Sequence, residues 1–396
     1  MREEKLAKNP SGKFNFLSLV AISTLLIPKA GLNWQGIPLT INLMLVTSLL
    51  VLSLIRHFEH ISQNNLRLLS LLIPWTLLCF FRSSPLIESR TLRFGLIYWC
   101  VIVPIFWVMV EALDKSGISI DPKIAVYCSF GASLFGLGQF IWGLNFLKVT
   151  GLTIAWGDSY DRKNLNIFNA NDAIGTKIPS TFQGGNIWGQ CTSLILIWVV
   201  VFRVWRIFNS RILQIATVAS PSIAVFLSFS RTAIAATVVS LAFYFLRAKK
   251  RFLGFVLFLT FVYFIVSTTS QFSLGRYSLN SFTNSAGRTV QWASGFANYS
   301  IADWLFGRSG TPASSFIDME GILGLFSQVG IIGFLLLLLI WMNIFKGNFK
   351  WIGVAILICL ILDSTYVSPP LLLIPSLLTV SRLRGLIDSN FRNSET

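Results

Sequence analysis

Three features of the sequence predict an all-α, polytopic membrane protein. The chain is 54% hydrophobic and only 12% charged, its mean hydropathy is +0.68, and its apolar residues gather into a succession of runs parted by polar connections. No soluble core absorbs that much apolar surface, so the bilayer is the expected solvent. The formal charge of +16 would fit nucleic acid if the basic residues shared one soluble face. They are instead scattered between apolar runs, which speaks against nucleic acid and for topology, membrane lipids and anion binding.

Residues 1–13 carry Arg2, Lys5, Lys8 and Lys13 ahead of the apolar run Phe14–Pro28. The outline is that of a signal peptide, but Lys29-Ala30-Gly31 is no small-x-small cleavage site and more spans follow, so an uncleaved first helix is expected. Further spans fall near 38–55, 66–81, 94–112, 123–145, 187–202, 212–229, 232–246, 252–267, 321–342, 350–363 and 367–381, giving about twelve transmembrane helices. Several are shorter than the roughly 20 residues that cross a bilayer upright. Pro369, Pro370 and Pro375 predict a kinked or broken last helix.

Twelve spans put both termini on one side. With that side inside, most of the 32 Lys and Arg fall in inner segments, among them Arg56, Arg67, Lys115, Lys123, Arg203, Arg206, Arg211, Arg247, Lys346 and Lys350. The positive-inside rule therefore predicts cytoplasmic termini. The chain reads as a single transmembrane domain over 1–396, with two long outer loops at 146–186 and 268–320. Cys79, Cys100, Cys128, Cys191 and Cys359 lie in or beside apolar runs and read as small buried hydrophobes. His57 and His60, around Glu59 in an inner connection, lack metalloprotease spacing and read as solvated. No phosphate-binding glycine loop, dinucleotide fingerprint or paired-cysteine motif is present, so neither metal nor cofactor is expected.

Basic residues in the outer segments run against the topological trend and need their own explanation. Arg231 sits at an outer turn in Ser228-Phe229-Ser230-Arg231-Thr232. A charge beside the membrane core marks a pathway or a ligand more often than not, and the surrounding hydroxyls favour that over simple snorkelling to headgroups. Arg288 opens the stretch Val290–Phe306, whose apolar residues Val290, Ala293, Ala297, Ile301 and Leu305, with Trp292 and Trp304, predict an amphipathic helix on the membrane surface, capped by Ser285 or Thr289. An anion at its N-terminus would feel both helix dipole and guanidinium; neutralising lipid phosphates is the equal alternative.

Asp318 and Glu320 precede the span beginning at Gly321. Either is a candidate general base, though acids are also favoured at a helix N-terminus by the dipole. Gln183, Asn186 and Gln190 with Trp188 form a candidate sugar-facing set, against Asn186 as an ordinary helix cap. Arg90 and Arg93, with Arg276 and Arg308, add positive charge outside. Gly321, Gly324, Gly330 and Gly333 read as close helix packing without chemistry.

These features together resemble the O-antigen ligase and polymerase superfamily. The residues that carry the resemblance are Ser230–Ala233 at an outer turn, a long loop with Gly287-Arg288, Trp292 and Leu305-Phe306-Gly307, and the approach to Gly330-Ile331-Ile332-Gly333. It implies a GT-C-like, metal-independent inverting glycosyltransferase of the bacterial cytoplasmic membrane, acting on polyprenyl-pyrophosphate-linked oligosaccharide donor and acceptor. Arg231 and Arg288 would grip the pyrophosphate. Ligases of that superfamily place a histidine shortly before the tenth span; here Asp318 and Glu320 stand there, which favours a polymerase of surface polysaccharide. A ligase using another acceptor, or a transporter of an anionic lipid-linked solute, are the rivals.

Overall fold

A computed structural model describes residues 15–34, 37–82, 97–153, 178–182, 184–228, 230–247, 254, 256, 299–307, 321–362 and 369–380, with the backbone alone at 33, 34, 37, 38, 82, 99, 231, 321–325, 361, 362 and 369. The architecture is helical. Helices α1 (Phe16–Leu25), α2 (Ile41–His57), α3 (Gln63–Arg82), α4 (Val103–Lys115), α5 (Pro122–Trp142), α6 (Gly185–Val201), α7 (Arg211–Leu227), α8 (Arg231–Arg247), α9 (Ile301–Phe306), α10 (Gly321–Ile344), α11 (Lys350–Leu362) and α12 (Pro369–Thr379) follow one another. A two-stranded antiparallel hairpin, β1 (Gly31–Trp34) and β2 (Ile37–Thr40), joins α1 to α2. Helix thus appears in every expected span except 252–267, which lies outside the described residues apart from 254 and 256.

Among the described residues, four helices are long and apolar enough to cross a membrane: Ile41–His60, Gln63–Phe81, Pro122–Trp142 and Phe326–Ile344. Large apolar side chains also face outward, with Ile55 and Phe81 each 76% exposed and Ile212 78%. Such a surface is compatible with a hydrocarbon environment and costly in water.

The centre is formed by α6 and α12, apolar and buried nearly all round, the signature of a helix with no solvent face. The other helices stand about them: α7, α8 and α11 against α6, and α4 and α1 against α12. The prolines of α12 do not break it. Pro369 and Pro370 occupy its first turn, where a missing N–H costs nothing. Pro375 is accommodated inside, and Trp107 Nε1 donates to the Leu372 carbonyl at 2.8 Å, close to the bond that the proline removes.

Contacts between connections show which helix ends lie together. Asn15 Nδ2 donates to the Ser119 carbonyl and the Ile120 N–H to the Val380 carbonyl. Phe208 packs on Tyr127, and Phe202 on Phe349. Asn65 Nδ2 donates to Glu111 Oε2 at 2.6 Å, Asn343 Nδ2 to Asn65 Oδ1 at 3.3 Å, and Lys115 pairs with Glu111 at 2.8 Å, tying the ends of α3, α4 and α10. Arg56, Arg67, Lys115, Lys123, Arg203, Arg206, Arg211, Arg247, Lys346 and Lys350 all belong to this end. At the opposite end the described basic residues are Lys29, Arg82, Lys148 and Arg231. Among the described residues, basic charge therefore segregates to one end of the bundle.

All five cysteines are buried and none forms a disulfide. His57 and His60 stack loosely beside a short turn, with Glu59 3.7 Å from His60.

Candidate functional site

Arg231 opens α8 at the end away from the basic cluster. The chain turns there through two buried serines. Ser228 Oγ donates to the Val225 carbonyl at 2.7 Å and accepts the Ser230 N–H at 3.2 Å. Ser230 Oγ accepts the Ala233 N–H at 3.3 Å, the N-cap bond of α8. The hydroxyls that gave Arg231 its ligand-like setting in the sequence are thus occupied in ending one helix and starting the next. Arg231 keeps a different distinction. It stands at the positive end of a helix whose first turn has no acidic residue, where a cation is disfavoured unless an anion joins it.

Helix α6 begins beside it. Gly184 is the N-cap, extended and without a side-chain capping bond. Asn186, weighed as a cap in the sequence, therefore stands in the first turn instead. A Cβ on Gly189 would strike Ser228 Oγ and lie 3.0 Å from Ser230 Cβ, so the glycine lets the two helix starts touch. Lower down, Thr237 Oγ1 donates to Ser193 Oγ at 2.9 Å and Tyr244 Oη to the Val201 carbonyl at 3.4 Å. Helices α6 and α8 thus run side by side in the same direction, with their positive dipole ends together, an arrangement that attracts anions. Two segments some forty residues apart, each singled out in the sequence, meet here.

Trp188 requires a correction. Its ring has no exposed surface and fills the space over Gly136 of α5, so its face is not offered to a sugar. Gln190 is equally buried. Both belong to the core because α6 is central. Arg288, Asp318, Glu320, Arg90, Arg93, Arg276, Arg308, Gln183 and Trp292 lie outside the described residues.

A second feature at this end escaped the sequence. Helix α10 is interrupted at Gly330, whose φ of 65° and ψ of −175° are not helical. Gly307, with φ 73°, lies against the break, so close that a Cβ on either glycine would collide with main chain of the other segment. Side chains of α3 meet carbonyls on both sides of this contact: Trp75 Nε1 donates to Val329 O at 3.0 Å beside the break, and Cys79 Sγ donates to Phe306 O at 3.0 Å at the end of α9. Trp75 also stacks on Phe306, with centroids 4.8 Å apart. Gly330 is therefore a backbone break as well as a packing residue, while Gly333, against Trp75 and Val329, does serve close packing.

Of the expected surface helix over Val290–Phe306, residues 290–298 lie outside the described residues, and the described part is not continuous with them, because α9 starts at Ile301 after the non-helical Tyr299 and Ser300. Ser300 is its N-cap, extended, with Ser300 Oγ accepting the Asp303 N–H and the Asp303 carboxylate accepting the Ser300 N–H at 2.9 Å. This reciprocal capping box overrides the apolar periodicity. Ile301 and Trp304 remain exposed, as a membrane-facing segment requires.

Among the described residues no group of three or more His, Cys, Asp or Glu is placed to hold a metal. Family models, curated proteins and solved structures were each compared with the chain, and none matches it.

Proposed function

We propose that the chain is a polysaccharide polymerase of the bacterial cytoplasmic membrane, with about twelve spans in a GT-C-like arrangement and both termini cytoplasmic. It joins polyprenyl-pyrophosphate-linked oligosaccharide units at the outer face. The observation that carries this reading is Arg231. It begins α8 at the end of the bundle opposite the basic cluster, beside the start of α6, whose N-cap is Gly184. If the basic end is cytoplasmic, that positive site faces outward, where lipid-linked glycans are assembled.

An acceptor hydroxyl attacks the donor's anomeric carbon and the bond to the pyrophosphate breaks. The hydroxyl proton passes to Asp318 or Glu320, and the polyprenyl pyrophosphate departs. Negative charge builds on the leaving group, so fixed positive groups there lower the barrier most. Arg231 and Arg288 supply them, with Arg276, Arg308, Arg90 and Arg93 around the lipid-linked substrate, and the step requires neither metal nor cofactor. Removing one preorganised donor costs about 10²–10³ in rate. Arg231→Ala and Arg288→Ala should each nearly abolish the ladder of lengthening glycans on the carrier while the protein stays folded; normal ladders from both would refute the reading.

A ligase would use the same donor site and differ in product, placing glycan on a new acceptor. The break at Gly330 favours one further reading, since discontinuous helices also build transport sites. A transporter would move substrate without changing glycan length.

A further inference from the structure

Three buried polar atoms beside the start of α6 have no hydrogen-bond partner among the described residues: Gln139 Oε1, Thr181 Oγ1 and Trp188 Nε1. Their residues are 2%, 4% and 0% exposed. They are neighbours. The Trp188 ring lies over Gly136, and Gln139 follows one turn along the same face of α5. Gln139 Nε2 donates to the Ser180 carbonyl at 3.5 Å, and Thr181 is the next residue. Ser180 is held in the left-handed region, φ 51°, by its Oγ donating to the Ala132 carbonyl at 2.6 Å. A non-glycine residue in that region needs its surroundings to fix it.

Unpaired polar groups inside an apolar bundle are destabilising, because each has lost water and gained nothing. Here one acceptor, one donor and one hydroxyl that does either belong to residues of adjoining segments, none of them charged. Such a set is poorly matched to an ion and well matched to adjacent hydroxyls of a neutral ring. We infer that Gln139, Thr181 and Trp188 form a hydrogen-bonding subsite for a neutral polyhydroxyl group, the glycan attached to the pyrophosphate. This rests on the proposed polymerase reading, which places that pyrophosphate beside the adjoining starts of α6 and α8. The Trp188 ring face stays buried; only its N–H takes part.

Thr181→Val deletes its polar atom at nearly constant shape, whereas Gln139→Leu also removes the Nε2 donor to the Ser180 carbonyl and Trp188→Phe also leaves a cavity where the fully buried indole was. In the unliganded, detergent-solubilised full chain the melting temperature of Thr181→Val should hold or rise, because an unpaired group has gone, while those of Gln139→Leu and Trp188→Phe should fall through the abandoned Ser180 carbonyl and the cavity. The KM for the lipid-linked repeat unit should rise about three- to tenfold per variant, the worth of one neutral hydrogen bond. Thermal shifts with two probes separate the possibilities: bare polyprenyl pyrophosphate, and the glycan-bearing carrier extracted from a native host lacking the gene. The natural chain should respond more to the loaded carrier, and the variants should answer both alike. Variants that still distinguish the loaded carrier as the natural chain does would overturn the subsite and assign these atoms to ordered water. Equal responses of the natural chain to both probes would overturn the subsite and leave the pyrophosphate site standing. No response to either would overturn the polymerase reading and the subsite with it.

Discussion

Gly307 and Gly330 meet main chain to main chain, each with positive φ and each without room for a Cβ. Their contact fixes Gly307 against α10. Neither collision involves the far end of a flexible side chain, so a methyl group at either glycine must displace backbone. Gly330→Ala should therefore destabilise the protein by more than the about 1 kcal/mol expected from the left-handed conformation alone. Gly347→Ala supplies the control, because Gly347 has φ 61° but open space around it. Thermal denaturation of the two purified variants checks the difference; equal losses would show that the contact is unimportant.

Trp75 makes two separable contributions at the break. Trp75→Phe keeps a ring to stack on Phe306 but leaves the buried Val329 carbonyl without its N–H donor. A loss of about 1–3 kcal/mol is expected for a buried acceptor so abandoned, with partial relief from Cys79, whose Sγ is 4.0 Å from the same oxygen. Trp75→Leu, which forfeits the stacking too, should melt lower still. Hydrogen exchange along 326–334 would locate the effect at the break.

Most of the helices were legible in the sequence, because long apolar runs in a chain this hydrophobic leave few alternatives to helix. Local backbone chemistry was not. Strands as short as Gly31–Trp34 leave no periodicity to read. The start of α9 at Ile301 was masked by apolar spacing that continues across Ser300, where a capping box prevails over pattern. Gly330 sits among glycines that read equally well as packing residues, and only the approach of Gly307 distinguishes it. For the candidate site, the sequence brought attention to Ser228–Arg231 and to Gly184–Gln190, since polar residues are conspicuous against apolar surroundings, and the structure brings these two segments together. It assigned the serines to a ligand because capping bonds depend on φ and ψ, which residue types do not reveal. Gln139 and Thr181 were passed over because a single amide or hydroxyl carries no motif; their meaning comes from being buried together.

The segregation of Lys and Arg predicts a simple labelling pattern. Because all five native cysteines are buried, a membrane-impermeant maleimide should react little with the natural chain. Single exposed reporters then read out sidedness. Lys123→Cys and Lys346→Cys should label from one side of sealed vesicles and Lys148→Cys from the other. Labelling of Lys148→Cys together with Lys346→Cys from the same side would contradict the end-to-end arrangement of α5 and α10.

The tie among α3, α4 and α10 predicts unequal costs for its members. Asn65 is buried and joins Glu111 to Asn343, so Asn65→Leu abandons both partners and should cost about 1–3 kcal/mol. Lys115 meets Glu111 where the two side chains are 42% and 31% exposed; Lys115→Ala should cost no more than about 1 kcal/mol. Glu111→Gln keeps an acceptor for Asn65 and should fall between them. Unfolding of the three variants in detergent ranks them, and a Lys115→Ala cost matching that of Asn65→Leu would relocate the tie to the ion pair.

Gly189 offers the sharpest test of whether the adjoining starts of α6 and α8 matter to activity. Gly189→Ala adds one methyl where Ser228 Oγ and Ser230 Cβ already lie, so the two helix starts must separate. Overpacking of this kind costs about 1–3 kcal/mol, yet the larger effect should fall on chain extension, because a displacement of about 1 Å in a preorganised site can cost 10²-fold. Ser228→Gly removes the two nearest atoms that the methyl strikes, leaving only Ser230 Cβ at 3.0 Å, and the double variant should recover extension even though it also lacks the Ser228 bonds that end α7. Recovery of stability without recovery of extension would mean that the spacing of the two helices serves folding alone, and that Arg231 acts independently of α6.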